Sequence, residues 1–341
     1  AALGTGQLEV HYQVKVDLGS GRMDAVEALV RWRHPTRGLL GPEEFVPLAE
    51  QAGFMRMLTI EVLHTALDQC RRWHAAGLEV AVAVNLSASD LLDRGFPAQV
   101  SGMLAGFGLS PAALELEITE TTLMLDRVRS ATVLGELRAL GVGIAVDDYG
   151  TGYSSLARLL ELPVNVLKLD KSFIQRVADD SRAEAIVRST VSLAHALDLR
   201  IVVEGVETAA AVRMLRDVGC DLAQGYFLGE PGPSELVTEQ LRQAAATAGT
   251  IDLETATREP VGLATPREAN ARETSARETS ARETSARETS ARETSAREAT
   301  RDPAADRGAR RTGGRAPTRE GGVRNTPVAP GPTTPAGSPW R

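Results

Sequence analysis

Short apolar runs alternate with longer helical patterns through the first 230 residues of the chain. The runs lie at 10–18, 25–32, 80–86, 114–119, 143–148, 165–170, 200–205 and 221–226. Their centres, such as AVAV at 81–84, IAV at 144–146 and IVV at 201–203, are apolar at consecutive positions. Strands read this way when both faces are covered, as in a parallel sheet flanked by helices. Helical spacing occupies 54–76, 89–106, 126–140, 179–197 and 208–218. Strands alternating with helices over roughly 250 residues predict an α/β fold of the (β/α)8 TIM-barrel type. Only GSGRMD (19–24) separates the first two strands. That is a tight turn with no room for a crossover helix, so the barrel is expected to be modified by one antiparallel strand near its start.

The end of the chain has a different composition. Of 13 aromatic residues, 12 precede position 228 and only Trp340 follows it. A core needs large apolar side chains, so one folded domain is expected over 1–246 and a disordered, low-complexity tail over 247–341. ARETS repeats unchanged five times from 271 to 295. Pairs such as Glu273 and Arg277 have helical i,i+4 spacing, but a five-residue period walks around a helix and builds no apolar face. Removing 251–341 is therefore expected to leave the melting temperature unchanged; a large drop would move the domain end.

Charge follows the same division. Residues 251–341 hold 16 Arg and 13 Asp or Glu, so the 22 basic and 32 acidic side chains before them give 1–250 a net charge of −10. An acidic domain does not suit DNA or RNA polymers, whose binding needs cationic surface. The two cysteines, Cys70 and Cys220, offer neither a disulfide framework nor zinc spacing, which fits the cytoplasm. No apolar run approaches the roughly 18 residues of a membrane span. Membrane attachment would have to come from a segment upstream of Ala1, where a sensor domain is also compatible.

The strand patterns carry polar residues toward their ends: Glu27, Asn85, Glu117, Asp147 and Asp148, Lys168, Glu204 and Gln224. One acid at a strand end is usually a turn cap. Seven strands each delivering an acid, amide or lysine to the C-terminal mouth of a barrel describe an active site. Five carboxylates crowded there repel unless cations hold them. Hard oxygen donors without thiolate or a histidine cluster favour Mg²⁺ or Mn²⁺. Adjacent Asp147 and Asp148 suit two ions set for in-line attack on phosphorus. Of 38 basic residues only Lys15, Lys168 and Lys171 are lysine. Lysine is a compact charge where arginine is a wide fork, so its retention at Lys168 points to a catalytic role. Nothing local to Lys15 or Lys171 asks more than chance survival.

These residues also form a family pattern. EALVRWRHP (27–35), FVPLAEQAG (45–53), VNLS (84–87), LELEITE (114–120), DDYGTGYSSL (147–156), LPVNVLKLDKSF (162–173), VEGVET (203–208) and GCDLAQGY (219–226) occur in order. Together they resemble the EAL family of cyclic di-GMP phosphodiesterases over about residues 8–236. The resemblance implies hydrolysis of cyclic di-GMP to linear pGpG with two Mg²⁺ or Mn²⁺ ions, lowering the second messenger. It implies metal ligation by Glu27, Asn85, Glu117, Asp147 and Asp148, and an attacking water oriented by Lys168. It places Glu204 and Gln224 in the metal and water shell, and Gln13 and Arg31 at the substrate. Glu120 and Glu207 match supporting acids, the former steadying the loop after Asp148, which lies at the family's dimer contact. A homodimer and an upstream diguanylate-cyclase-like domain are further implications.

The pattern is not perfect. The family's YQP becomes Tyr12-Gln13-Val14, and its phenylalanine, small residue and basic residue before proline become Leu228-Gly229-Glu230-Pro231. The rival readings are a non-catalytic cyclic di-GMP receptor and a barrel acting on another phosphodiester. All the matched metal ligands and the lysine are present, which favours the hydrolase.

Overall fold

The computed structural model describes residues 2–124, 126–150, 162–177 and 180–246. The strands are β1 (Leu8–Asp17), β2 (Met23–His34), β3 (Gly38–Leu40), β4 (Ala81–Asn85), β5 (Leu114–Thr119), β6 (Gly143–Tyr149), β7 (Val166–Leu169), β8 (Arg200–Val203) and β9 (Leu222–Ala223). They form one sheet in the order β1-β9-β8-β7-β6-β5-β4-β2-β3, and the β1–β2 pairing closes it. The closed barrel thus has eight strands, with β3 extending β2 as a hairpin outside it. β1 runs antiparallel to both β2 and β9, while the pairs from β2 through β9 around the barrel are parallel. The short turn at 19–24 forces this: β1 returns directly into β2 with no crossover helix.

The helices include α1 (Pro42–Gln51), α2 (Met55–Ala75), α3 (Ala88–Leu91), α4 (Phe96–Phe107), α5 (Arg127–Leu140), α6 (Lys171–Ile174), α7 (Ser181–Ala196), α8 (Ala209–Asp217) and α9 (Ser234–Ala246). The helix expected over 89–106 is broken into α3 and α4. Gly95 caps α4 and Pro97 follows in its first turn, where a missing N–H costs nothing. α1, α6 and α9 were not expected from sequence. Among the described residues no helix is long and apolar enough to cross a membrane. The loop after Gly150 and the ARETS tail lie outside the described residues.

Side chains alternate across each strand, and residues paired in register share a face. One face carries Val14, Val26, Val82, Leu116, Ile144, Leu167 and Ile201, all in the main core with helix residues such as Leu63, Leu67 and Val187. The other face turns into the barrel. Its register runs Gln13↔Glu27, Lys15↔Ala25, Ala83↔Glu115, Asn85↔Glu117, Glu117↔Ala145 and Lys168↔Val202. Ala145, Val166, Val202 and Leu222 form a separate apolar cluster on this inner face. The rest of the barrel interior is largely polar. A barrel interior is ordinarily a packed apolar core, so this one is built around its charges.

Candidate metal centre

Lys168 reaches the middle of the inner face from β7 and is 1% exposed. Its Nζ lies 2.7 Å from Glu117 Oε2, 2.9 Å from Asp147 Oδ1 and 2.7 Å from Glu204 Oε1. Glu27 Oε2 is 3.7 Å away. Three ammonium protons thus face three carboxylate oxygens from β5, β6 and the end of β8. Burial alone would push Lys168 toward neutrality; the surrounding carboxylates outweigh it and hold the group well above its ordinary pKa.

Glu27 is held from the other side by amides. Asn85 Nδ2 donates to its Oε1 at 2.9 Å, and Gln224 Nε2 donates to its Oε2 at 2.7 Å. Gln224 also donates to Gln13 Oε1 at 2.9 Å, and Gln13 donates to the Gly229 carbonyl at 2.8 Å. Burial, reinforced by the charge of Glu117, raises the Glu27 carboxyl to about 7. Burial works the same way on Glu117, but Lys15 and Lys168 overcome it and hold that carboxyl down to about 2. Two glutamates of one cluster therefore stand in opposite electrostatic environments.

Asp147 and Asp148 are consecutive, and consecutive strand residues normally point to opposite faces. Asp148 escapes by adopting φ 55°, a left-handed conformation uncommon outside glycine. The β6–β7 register slips between Val146 and Tyr149 at the same place. The result brings one oxygen each of Asp147, Asp148 and Glu204 within 4.8 Å of one another. Burial, then Asp147, then Asp170 raise the pKa of Asp148. Asp170, the cap of α6, is an acid beside the site that the strand-end reading passed over.

The donor chemistry fits a cation. Glu27, Glu115, Glu117, Asp147, Asp148 and Glu204 set six carboxylates against the two ammonium groups of Lys168 and Lys15, a formal excess of four negative charges. Gln224 Oε1 is buried and accepts no hydrogen bond. A cluster of acceptors short of donors and positive charge is what a hard divalent ion satisfies.

Other expected site residues lie farther out. Arg31 shares the inner face of β2 with Glu27, two alternations on, and is half-buried. Gln13 is buried and fully engaged with Gly229 and Gln224, so its visible work is to orient Gln224. Glu120 is buried, and its backbone N–H donates to the Asp147 carbonyl at 3.2 Å. Glu207 is exposed and accepts from Gln175, with no ion pair joining it to the cluster among the described residues.

The two departures from the family pattern meet in space. A Cβ on Gly229 would stand 2.9 Å from Val14 Cγ2, so glycine there makes room for valine in place of the usual proline. Glu230 beside it is exposed.

Lys15 corrects the sequence reading. It is more than a chance survivor: it is 1% exposed, inside the barrel, with Nζ 2.7 Å from Glu115 and 2.5 Å from Glu117. The signal was available, since Lys15 has the same strand parity as Gln13, and lysine is scarce throughout.

Known proteins resemble this chain in sequence and in fold. MucR of Pseudomonas aeruginosa, named a bifunctional diguanylate cyclase/cyclic di-GMP phosphodiesterase, is 46% identical over 235 residues, covering 69% of this chain and 34% of that protein. The cyclic di-GMP phosphodiesterase NbdA of the same organism is 44% identical over 242 residues, covering 71% and 31%. The chain thus spans about a third of the length of these relatives. A solved PaMucR phosphodiesterase in complex with c-di-GMP is 45% identical with a TM-score of 0.66, covering 69% of this chain and 96% of that one. The EAL enzyme Bd1971, solved with cAMP and cyclic di-GMP bound, is 27% identical with a TM-score of 0.67, covering 70% and 66%. The EAL domain pattern itself matches residues 1–231. Carrying that pattern on an eight-stranded barrel with one reversed strand and an acidic mouth, the chain belongs to the EAL domain family.

Proposed function

We propose that this protein hydrolyses cyclic di-GMP to linear pGpG with divalent metal, and so lowers the level of the second messenger. The observation that carries the reading is Lys168, buried among Glu117, Asp147 and Glu204 at 2.7–2.9 Å in a mouth with four negative charges in excess. Two divalent ions would balance that excess. Glu27, Asn85, Glu117 and Asp147 would hold one ion, and Asp147 with Asp148 the other. Bound Mg²⁺ or Mn²⁺ supplies Lewis acidity at the phosphate and lowers the pKa of the attacking water.

The chain's own groups do the rest. Lys168 would orient the attacking water with a proton that one of its three carboxylate partners gives up, and its neighbours keep it charged. Glu204, its pKa raised chiefly by burial, is a better proton acceptor than an ordinary carboxylate and sits against Lys168. Asn85 and Gln224 pin the two oxygens of Glu27, and Gln13 pins Gln224. Arg31 is placed for a phosphate oxygen by its guanidinium fork. Glu120 and Glu207 support the mouth from outside the layer. We place the chain in the cytoplasm as a homodimer, with a diguanylate-cyclase-like or sensor domain upstream.

The test is turnover. With Mg²⁺ or Mn²⁺, cyclic di-GMP should give pGpG as the product. Excess chelator should abolish the reaction, and Ca²⁺ should inhibit it, because a larger, loosely coordinated ion does not keep the geometry of in-line attack. Turnover that survives chelation would overturn the metal reading, and binding without turnover would make the protein a receptor.

A further inference from the structure

Two of the three lysines in the chain are buried in the same barrel interior, and the reaction described above uses only Lys168. We propose that Lys15 is a positioning residue that fixes the metal ligand Glu117 from below; the proposal rests on the metal reading of the site.

The geometry is specific. Glu117 is fully buried, and its two oxygens are taken by different lysines. Lys15 Nζ donates to Oε1 at 2.5 Å, and Lys168 Nζ donates to Oε2 at 2.7 Å. A carboxylate gripped at both oxygens can neither rotate about its last bond nor exchange them. Lys15 is held in turn by Glu115 at 2.7 Å, one inward position before Glu117 on the same strand. The reversed β1 makes this possible. Because it runs against β2, Gln13 sits beside Glu27 and Lys15 sits one layer down, beside Ala25. From there a long, unbranched stem reaches Glu117.

Stability alone does not account for the pair. Ala145, Val166, Val202 and Leu222 cluster on this same inner face, so apolar side chains suit this part of the interior. Replacing a buried ion pair with apolar groups of similar volume is often neutral or stabilising. What an apolar plug cannot do is hold the Glu117 carboxylate in one orientation. Groups behind a metal ligand serve that purpose, and their loss typically costs roughly 10–100-fold in metal affinity or activity.

The experiment is Mn²⁺ titration by calorimetry on the full chain without substrate, alongside kcat and KM for cyclic di-GMP. Lys15→Met should weaken Mn²⁺ binding by about 10-fold or more and lower kcat more than it raises KM. Glu115→Gln keeps Lys15 on Glu117 and should leave Mn²⁺ affinity close to that of the wild type. Lys15→Met alone leaves the buried Glu117 and the half-buried Glu115 carboxylates facing each other and threatens folding. The Lys15→Met/Glu115→Met double variant removes that conflict, should melt near the wild type, and should still bind Mn²⁺ weakly. A double variant that binds Mn²⁺ as the wild type does would overturn the proposal by showing that the pair only fills space. Tighter binding by either Lys15 variant would also overturn it, since the lysine would then act as a repelling charge. If the wild type itself takes up no Mn²⁺, the metal reading falls, and the proposal with it.

Discussion

Lys168→Arg is expected to lower turnover of cyclic di-GMP by about 100-fold while leaving KM within a few-fold, because a nucleophile misplaced by about 1 Å loses rate on that order. The substitution keeps the charge and changes the shape. A lysine ammonium offers three protons from one tetrahedral atom, and here three carboxylate oxygens receive them at 2.7, 2.9 and 2.7 Å. A guanidinium is flat, wider, and spreads its donors over three nitrogens. With the residue 1% exposed there is no solvent side into which the excess volume can move. Some of Glu117, Asp147 and Glu204 must therefore shift, and with them the place where water is held. Substrate binding should suffer less, because Arg31 stands farther along β2 and is untouched. Lys171→Arg, on the exposed start of α6, is the control and should behave as the wild type. Equal activity in Lys168→Arg and the wild type would reduce the lysine to a charge balancer.

Much of this site was legible in the sequence because a barrel turns order along the chain into convergence in space. Runs such as AVAV and IVV mark strands by being apolar at consecutive positions, and the residue after each run is then delivered to one mouth. The reversed strand was legible from the shortness of the 19–24 connection. Lys15 was lost because its partners stand 100 and 102 residues away and meet it only when β1 closes the barrel. The use of Asp147 and Asp148 together depends on a left-handed φ at Asp148, which no periodicity reveals. The break between α3 and α4 was marked by Gly95 and Pro97, but the apolar spacing on either side disguised it as one helix. The last strand was drawn too long, since only Leu222–Ala223 pairs with β8 and Gln224 lies just past it.

Glu117→Gln and Glu27→Gln should both abolish turnover, yet they are expected to move the stability of the metal-free protein in opposite directions. The Glu117 carboxyl is held down to about 2, against an ordinary 4.5, because Lys15 and Lys168 outweigh its burial. A depressed carboxyl contributes stability that is complete above its ordinary pKa and lost as the pH falls toward the folded value. At pH 8 that contribution is whole, and its removal also leaves two buried ammonium groups without their shared partner. The loss should be on the order of 3 kcal/mol. Glu27 is raised to about 7 by burial and by the charge of Glu117. Its ionised form is therefore a cost to the fold, complete above pH 7 and absent below the ordinary pKa. At pH 8 Glu27→Gln removes that cost, and the stability gained should be on the order of 1–3 kcal/mol. The substituted amide need not clash with its neighbours: its oxygen can keep the Gln224 N–H, and the exposed Asn85 can turn its own amide oxygen toward the new N–H group. Urea unfolding in excess chelator at pH 8 measures both effects. The gain from Glu27→Gln should fade as the pH is lowered through the range between 7 and 4.5, whereas the loss from Glu117→Gln should persist across it. Equal destabilisation by the two substitutions at pH 8 would mean that packing, and not charge, distinguishes these glutamates. The opposite signs would show that this cluster gives up stability at Glu27 to keep an ionised carboxylate in the mouth, and recovers it at Glu117 through the two lysines.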